Sequence, residues 1–484
     1  MNHQIRRLFI LVLAMFALLG MAATNNQFFQ APSLNADSRN ERTILHAAET
    51  DRGPIIVDGT AIASSQRVEG SKRFQRTYSQ GPLYASVTGF FSAAFSQATG
   101  LEAAAESTLD GQSQALLGQR LHNLFTGANR QGGGVVLTLD PALQQIAAEQ
   151  LGNRKGAVVA LDAKTGAILA LYSSPSYDPN ALAAFDSAAV DGAHTKLLDD
   201  PSKPLVNRAI AGDRYAPGST FKILTSIALI ENGIATPETT LESPVSTVLP
   251  GTQTTVSNIE SSTCGDGNPT LAEAFARSCN TTFLLASEKL THDQLAGVAA
   301  RFGFGDDLSI PLAVTSSSFP AETDAAQLAM SAIGQFSVQA TPMEMAMIAQ
   351  AIANDGTMMN PYLIAQVVDV DLAVQSETTP SVRSNPVTPE VANQITEMMK
   401  GVVSQSYGTG TSMAIDGVSV AAKTGTAETG VDGRANAWAV GFAPADDPQI
   451  AFAVLVEGDD SDPAPHGGTV AGPIARALLE AGLR

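Results

Sequence analysis

Three short polar strings, far apart and in a fixed order, constrain this chain more than anything else in it. Ser219-Thr220-Phe221-Lys222 follows Pro217-Gly218 and opens an apolar helical pattern. Ser278-Cys279-Asn280 comes next, and Lys423-Thr424-Gly425-Thr426 ends a strand-like run that starts at Val418. Residues i and i+3 share a helix face, so the Lys222 amine can reach the Ser219 hydroxyl. A serine hydroxyl is a weak nucleophile and needs a base beside it. Lysine serves if desolvation or a second cation lowers its pKa. A helix N-terminus also favours negative charge developing on the serine oxygen. An isolated Ser-x-x-Lys is more often a capping serine and a solvated lysine. Yet of the nine lysines only Lys222 has a serine three residues before it.

The chain also supplies decoys. Ser-x-Asn recurs at Ser33-Leu34-Asn35 and Ser38-Arg39-Asn40, and Lys-Thr-Gly at Lys164-Thr165-Gly166. The latter precedes the serine and sits between two strand patterns, at 156–161 and 167–172, where it reads as ordinary turn chemistry. Order and local context separate the working strings from their copies.

The N-terminus adds a second constraint. Arg6 and Arg7 precede an uncharged apolar run over 8–24. As a helix it spans about 26 Å, close to a hydrocarbon core of about 30 Å. Basic residues before the run keep residues 1–7 cytosolic and place the rest outside. A cleaved signal peptide is the alternative, but no clean A-x-A site follows, so the run reads as a single-pass transmembrane anchor. Residues 25–43 read as a polar linker, 25–134 as linker plus a smaller extended N-terminal domain, and Gly132-Gly133-Gly134 as a flexible joint. Beyond it, Asp140 caps an expected helix over 141–151. Helical patterns cover 221–232, 271–290, 342–354 and 472–483, with strands at 418–426, 438–443 and 449–457. Strands at both ends with helices between imply an α+β domain over 135–484.

Composition removes other classes. The 484 residues carry 47 acidic against 28 basic side chains, a net charge of −19, which is a poor footprint for nucleic acid. Apolar residues make up 44%, enough for a large core. The six histidines show no metal spacing, and the acidic run from Glu457 to Asp462 reads as a solvated loop. Trp438, the lone tryptophan, reads as core or sheet packing rather than a substrate platform.

Together the three strings resemble the signature of the class B penicillin-binding proteins, of the actinobacterial type. Further matching stretches are Pro204-Leu205-Val206-Asn207-Arg208, Ser331-Ala332-Ile333-Gly334-Gln335, Gly408-Thr409-Gly410 and Gly467 through Pro473; Arg52-Gly53-Pro54-Ile55 and Gly100-Leu101-Glu102 match more loosely. The resemblance implies a penicillin-binding, serine β-lactamase-like transpeptidase fold, an antiparallel sheet covered by helices. It implies Ser219 as nucleophile, Lys222 as base, Ser278 as proton relay and Asn280 as the group that binds the substrate amide. Lys423 would add positive charge, Thr424 and Thr426 would bind the terminal carboxylate beside Gly425, and the Ser219 and Thr426 N–H groups would form an oxyanion hole. Ala422 stands where the family commonly has glycine. Cys264 and Cys279 are the two thiols; they are either bridged, tethering the middle string, or buried and free.

The expected activity is peptidoglycan D,D-transpeptidation in cell wall synthesis, at division or the septum, on stem peptides ending in D-Ala-D-Ala. β-Lactams would be trapped as acyl-enzymes, and membrane proteins of the wall machinery are the expected partners. No cofactor or metal is needed. The alternatives are a D,D-carboxypeptidase or β-lactamase, which share the serine chemistry, and a membrane β-lactam sensor. No E-x-x-x-N pattern lies between Lys222 and Lys423, which tells against class A hydrolysis.

Overall fold

The computed structural model describes residues 2–25, 30, 48–95, 97–116, 131–211, 214–258, 262–431 and 433–483. Both Ser-x-Asn decoys and nearly all of the 25–43 linker lie outside the described residues. Helix α1 (Asn2–Thr24) contains one stretch, His3–Thr24, long and apolar enough to cross a membrane. Its leucines and phenylalanines are exposed on all sides, with nothing packed against them among the described residues.

The architecture rests on strands β1 (Ile55–Val57), β2 (Thr60–Arg67), β3 (Phe74–Tyr78), β4 (Gly134–Leu137), β5 (Gly156–Asp162), β6 (Ile168–Ser174), β7 (Ile364–Val368), β8 (Val374–Glu377), β9 (Ala421–Glu428), β10 (Ala435–Ala443) and β11 (Ile450–Glu457). An antiparallel sheet runs in the order β9-β10-β11-β5-β6. Its strands are buried on both faces, which is why they read as continuous apolar runs rather than alternating ones. Ala157, Val159 and Leu161 enter one core, while Val158 and Ala160 enter the other. The first core is built around α6 (Pro342–Ala353), all twelve of whose residues are buried; a helix apolar all round belongs inside. The second lies under α2 (Pro141–Leu151) and α7 (Gly472–Gly482). Asp140 caps α2, its carboxylate accepting from the N–H groups of Ala142 and Leu143. Ala422 is fully buried opposite Gly441, whose missing side chain leaves room for the extra methyl.

A second sheet, β8-β7-β4-β1-β2-β3, joins the N-terminal segments to β7 and β8. Asp58 and Gly59, with φ of 45° and 70°, make the tight turn between β1 and β2. Glu102, on the short helix Gly100–Ala104, is wholly buried beneath this sheet. It accepts from Arg76 Nε at 2.6 Å, Arg52 Nη2 at 3.0 Å and Tyr78 Oη at 3.1 Å. A carboxylate so placed is stable only because both arginines pair with it; they hold its pKa below the usual range against the opposing effect of burial.

Three expectations are corrected. Gly132-Gly133-Gly134 is a packed crossing rather than a flexible joint: a Cβ on Gly132 would meet Leu109 O and Gly53 N at 2.5 Å or less, and one on Gly53 would meet Gly133 O. The glycines serve close backbone approach. The helical pattern over 271–290 is broken into α4 (Leu271–Ala276) and α5 (Asn280–Ser287). Ser278, at φ 60°, forces the break. Glu457 belongs to β11 and to a partly buried pair with Arg208, so only the rest of the acidic run is solvated loop.

Candidate active site

Pro217 and a short 3₁₀ turn, Gly218–Phe221, deliver Ser219 to the start of α3 (Lys222–Glu231). The turn is clamped on both sides. Gly218 N–H donates to Gly334 O at 2.9 Å, and a Cβ on Gly334 would lie 2.1 Å from Gly218 O. On the other side a Cβ on Gly218 would meet Thr426 O at 2.8 Å. Phe221 anchors the turn in the core, stacked on Phe319 and edge-on to Phe304. Ser219 itself is half-buried and its hydroxyl has no hydrogen bond among the described residues.

Lys222 is fully buried. Its Nζ donates to Ser278 O at 2.8 Å and Asn280 Oδ1 at 2.8 Å, with Ser278 Oγ at 3.4 Å. The break between α4 and α5 makes this possible by turning the Ser278 carbonyl toward the amine. Asn280 Nδ2 in turn donates to Ser257 O. Cys279 caps α5 and is joined by a disulfide to Cys264, Cα atoms 6.0 Å apart, so the middle string is tethered.

Lys423, on edge strand β9, is also fully buried and donates to Thr424 O at 3.0 Å. The two lysines sit over the rings of a contacting pair, Lys222 over Phe283 and Lys423 over Phe275. Burial drives both amines toward the neutral form. It pushes Lys423 down to about 7 and Lys222 well below the ordinary lysine range, Lys423 adding a smaller effect on Lys222. Such an arrangement can accept a proton from a neighbouring hydroxyl at neutral pH. Thr424 shares a hydrogen bond with Thr409 at 2.6 Å, and Thr426 Oγ1 lies 3.5 Å from His466 Nδ1. Gly425 packs so closely that a Cβ would meet Pro217 O at 3.0 Å.

Ser219, Lys222, Ser278, Asn280 and Lys423 therefore converge, with Thr424, Gly425 and Thr426 along one edge. Lys164-Thr165-Gly166 is elsewhere, in the β5–β6 turn, where Asp162 accepts from the Lys164 and Thr165 N–H groups. Trp438 is buried, donating to Ala216 O. Sequence reasoning gave no role to Phe275, Phe283, Thr409 or His466. Only Thr409 carried a signal, as the centre of a Gly-Thr-Gly stretch.

Known proteins match this chain over nearly its whole length. The penicillin binding protein transpeptidase domain matches residues 156–480, and the penicillin binding protein A dimerisation domain matches 52–135. The chain is 43% identical to the peptidoglycan D,D-transpeptidase PbpA of Mycolicibacterium smegmatis, over 100% of this chain and 99% of the relative. The penicillin G acyl-enzyme complex of penicillin-binding protein A from M. tuberculosis superposes with a TM-score of 0.84 at 41% identity, covering 90% of this chain and 100% of that one. Penicillin-binding protein 2 of Pseudomonas aeruginosa gives 0.73 at 28% identity, over 90% and 95%. The protein belongs to the penicillin-binding protein transpeptidase family.

Proposed function

We propose that this protein is a serine-type peptidoglycan D,D-transpeptidase, held in the cell membrane by α1 with residues beyond 25 outside, and working in division or septal wall synthesis. The observation that carries the reading is the buried, deprotonation-prone Lys222 amine, held by Ser278 and Asn280, three residues on from a half-buried Ser219 whose hydroxyl makes no hydrogen bond among the described residues. Ser219 Oγ attacks the penultimate D-Ala carbonyl of a stem peptide as its proton passes to Lys222. The Ser219 and Thr426 N–H groups receive the oxyanion, an interaction worth about 3–4 kcal/mol of barrier per donor. Ser278 relays the proton to the departing D-Ala nitrogen, and the C–N bond breaks to leave an ester on Ser219. An amine from a second stem then displaces the serine oxygen. Asn280 holds the substrate amide, while Lys423, Thr424 and Thr426 hold its terminal carboxylate. The chain divides near residue 134, residues 25–134 acting as a pedestal that docks other membrane proteins of wall synthesis.

The similarity to relatives named as peptidoglycan D,D-transpeptidases supports the reaction, and the division role rests on resemblance alone. Intact-mass analysis of the detergent-solubilised full chain with benzylpenicillin tests the core of it. One long-lived adduct mapping to Ser219, absent from Ser219→Ala, is expected. Labelling that persists in Ser219→Ala overturns the assignment, and rapid drug turnover makes the protein a hydrolase.

A further inference from the structure

A cavity of about 560 Å³ opens beside the Ser219 turn and is not used by the chemistry above. Ala216 and Gln335, close in sequence to the clamped Gly218 and Gly334, line it together with Phe336 and Glu428. It therefore borders the turn that carries Ser219. Glu428 is two residues beyond Thr426 on β9, on the same side of the strand and about 7 Å along it.

Charges in this cavity are unevenly satisfied. Glu457 is spoken for, accepting from Arg208 Nε and Tyr215 Oη, both at 2.7 Å. Arg434 is paired with Asp460. Glu428 is exposed, and its carboxylate makes no hydrogen bond or ion pair among the described residues. Among the described residues Arg214 hydrogen-bonds only to neutral groups, Ser316 O and Ser318 Oγ. Phe336 lines the same cavity, 47% exposed and held at φ 61°. A left-handed backbone at a bulky residue costs of the order of 1 kcal/mol or more, and such strain collects at ligand sites.

We infer that this cavity is the acceptor subsite, taking the diamino-acid end of a second stem peptide: its methylene chain over Phe336, its ammonium at Glu428 and its carboxylate at Arg214. The inference rests on the transpeptidase reading and deepens it. The complementarity is chemical. An acceptor amine arrives protonated, so a free carboxylate beside the cleft concentrates it, while an aromatic wall suits the apolar chain between its charges. At Glu428 the ammonium gives one proton to solvent. The neutral amine then attacks the Ser219 ester carbonyl, a C–N bond forms and the C–Oγ bond breaks. The second amine proton passes to Lys222 and on to Ser219 Oγ, leaving an amide and the free enzyme.

The test uses the full chain, a thioester donor that mimics the D-Ala-D-Ala end, and three acceptors. Two are stem tripeptides ending in lysine or in meso-diaminopimelate; the third is hydroxylamine, which is uncharged at pH 7.5. Glu428→Gln is expected to raise the KM of at least one tripeptide about threefold, the scale of one solvent-facing ion pair. The hydroxylamine KM and the penicillin acylation rate should stay as in wild type. Unchanged tripeptide KM values overturn the subsite, as does an equal loss with hydroxylamine. If the wild-type enzyme acylates but makes no amide with either tripeptide, the transpeptidase reading itself fails.

Discussion

Lys222 Nζ sits 2.8 Å from the carbonyl oxygen of Ser278, a contact that exists because Ser278 adopts φ 60° between two helices. The strained serine thus aims a backbone acceptor at the buried amine and keeps its own hydroxyl at 3.4 Å. The two roles separate by substitution. Ser278→Gly relieves the left-handed backbone and should hold or raise thermal stability, whereas Ser278→Ala keeps the strain. Both lose the hydroxyl and should slow penicillin acylation by about 10²-fold or more, the usual scale of lost proton relay. Thermal unfolding together with acylation kinetics decides the matter; a glycine variant that acylates at the wild-type rate removes Ser278 from proton transfer.

The Lys423 ammonium, lowered to about 7 by burial, predicts a pH profile. If its positive charge draws the substrate carboxylate, the second-order acylation constant falls as pH rises through about 7. That constant reports the free enzyme, so the pKa of the empty site applies. Stopped-flow acylation by benzylpenicillin between pH 5.5 and 9 checks it. A flat profile between pH 6 and 8.5 would mean Lys423 does not supply the charge.

Much of this site was legible because its chemistry demands particular residues in a particular order, and because strings such as Lys423-Thr424-Gly425 keep their meaning without neighbours. The β5–β6 hairpin was legible from two apolar runs around a polar turn. Long-range pairing was not. β7 joins β4 across more than two hundred residues, and nothing in residues 364–368 names that partner. Nor did Glu102 announce its burial, because a carboxylate is ordinarily a surface residue and its arginine partners lie 26 and 50 residues away. The break at Ser278 was hidden by apolar residues on both sides that continue a helical pattern.

Glu344 lies buried in the first turn of α6 with Oε1 unpartnered among the described residues, and burial raises its pKa to about 8. Because the folded state binds its proton more tightly, its contribution is fully present below about 4.5 and is lost as pH rises through 8. Glu344→Gln removes that loss. The stability of the variant relative to wild type should grow between pH 5 and 8, by the order of 3–4 kcal/mol across that range. Taking the difference cancels the opposite pH dependence of the buried lysines. Denaturant unfolding at pH 5, 6.5 and 8 gives the answer, and a gain that does not vary with pH contradicts a buried titrating carboxyl.

Gly334 backs the turn that carries Ser219 at φ 72°, with a Cβ position 2.1 Å from Gly218 O. Gly334→Ala must therefore strain its own backbone and push the turn that carries Ser219. A destabilisation of roughly 1–3 kcal/mol is expected from the backbone alone. Acylation should fall further than that loss of folded protein explains, since small displacements of reacting groups cost about 10²-fold. Lys164→Ala, in the β5–β6 turn, is the control and should acylate at the wild-type rate. Measured at a temperature where both variants are fully folded, equal acylation by Gly334→Ala and wild type would show that the Gly218 contact does not position Ser219.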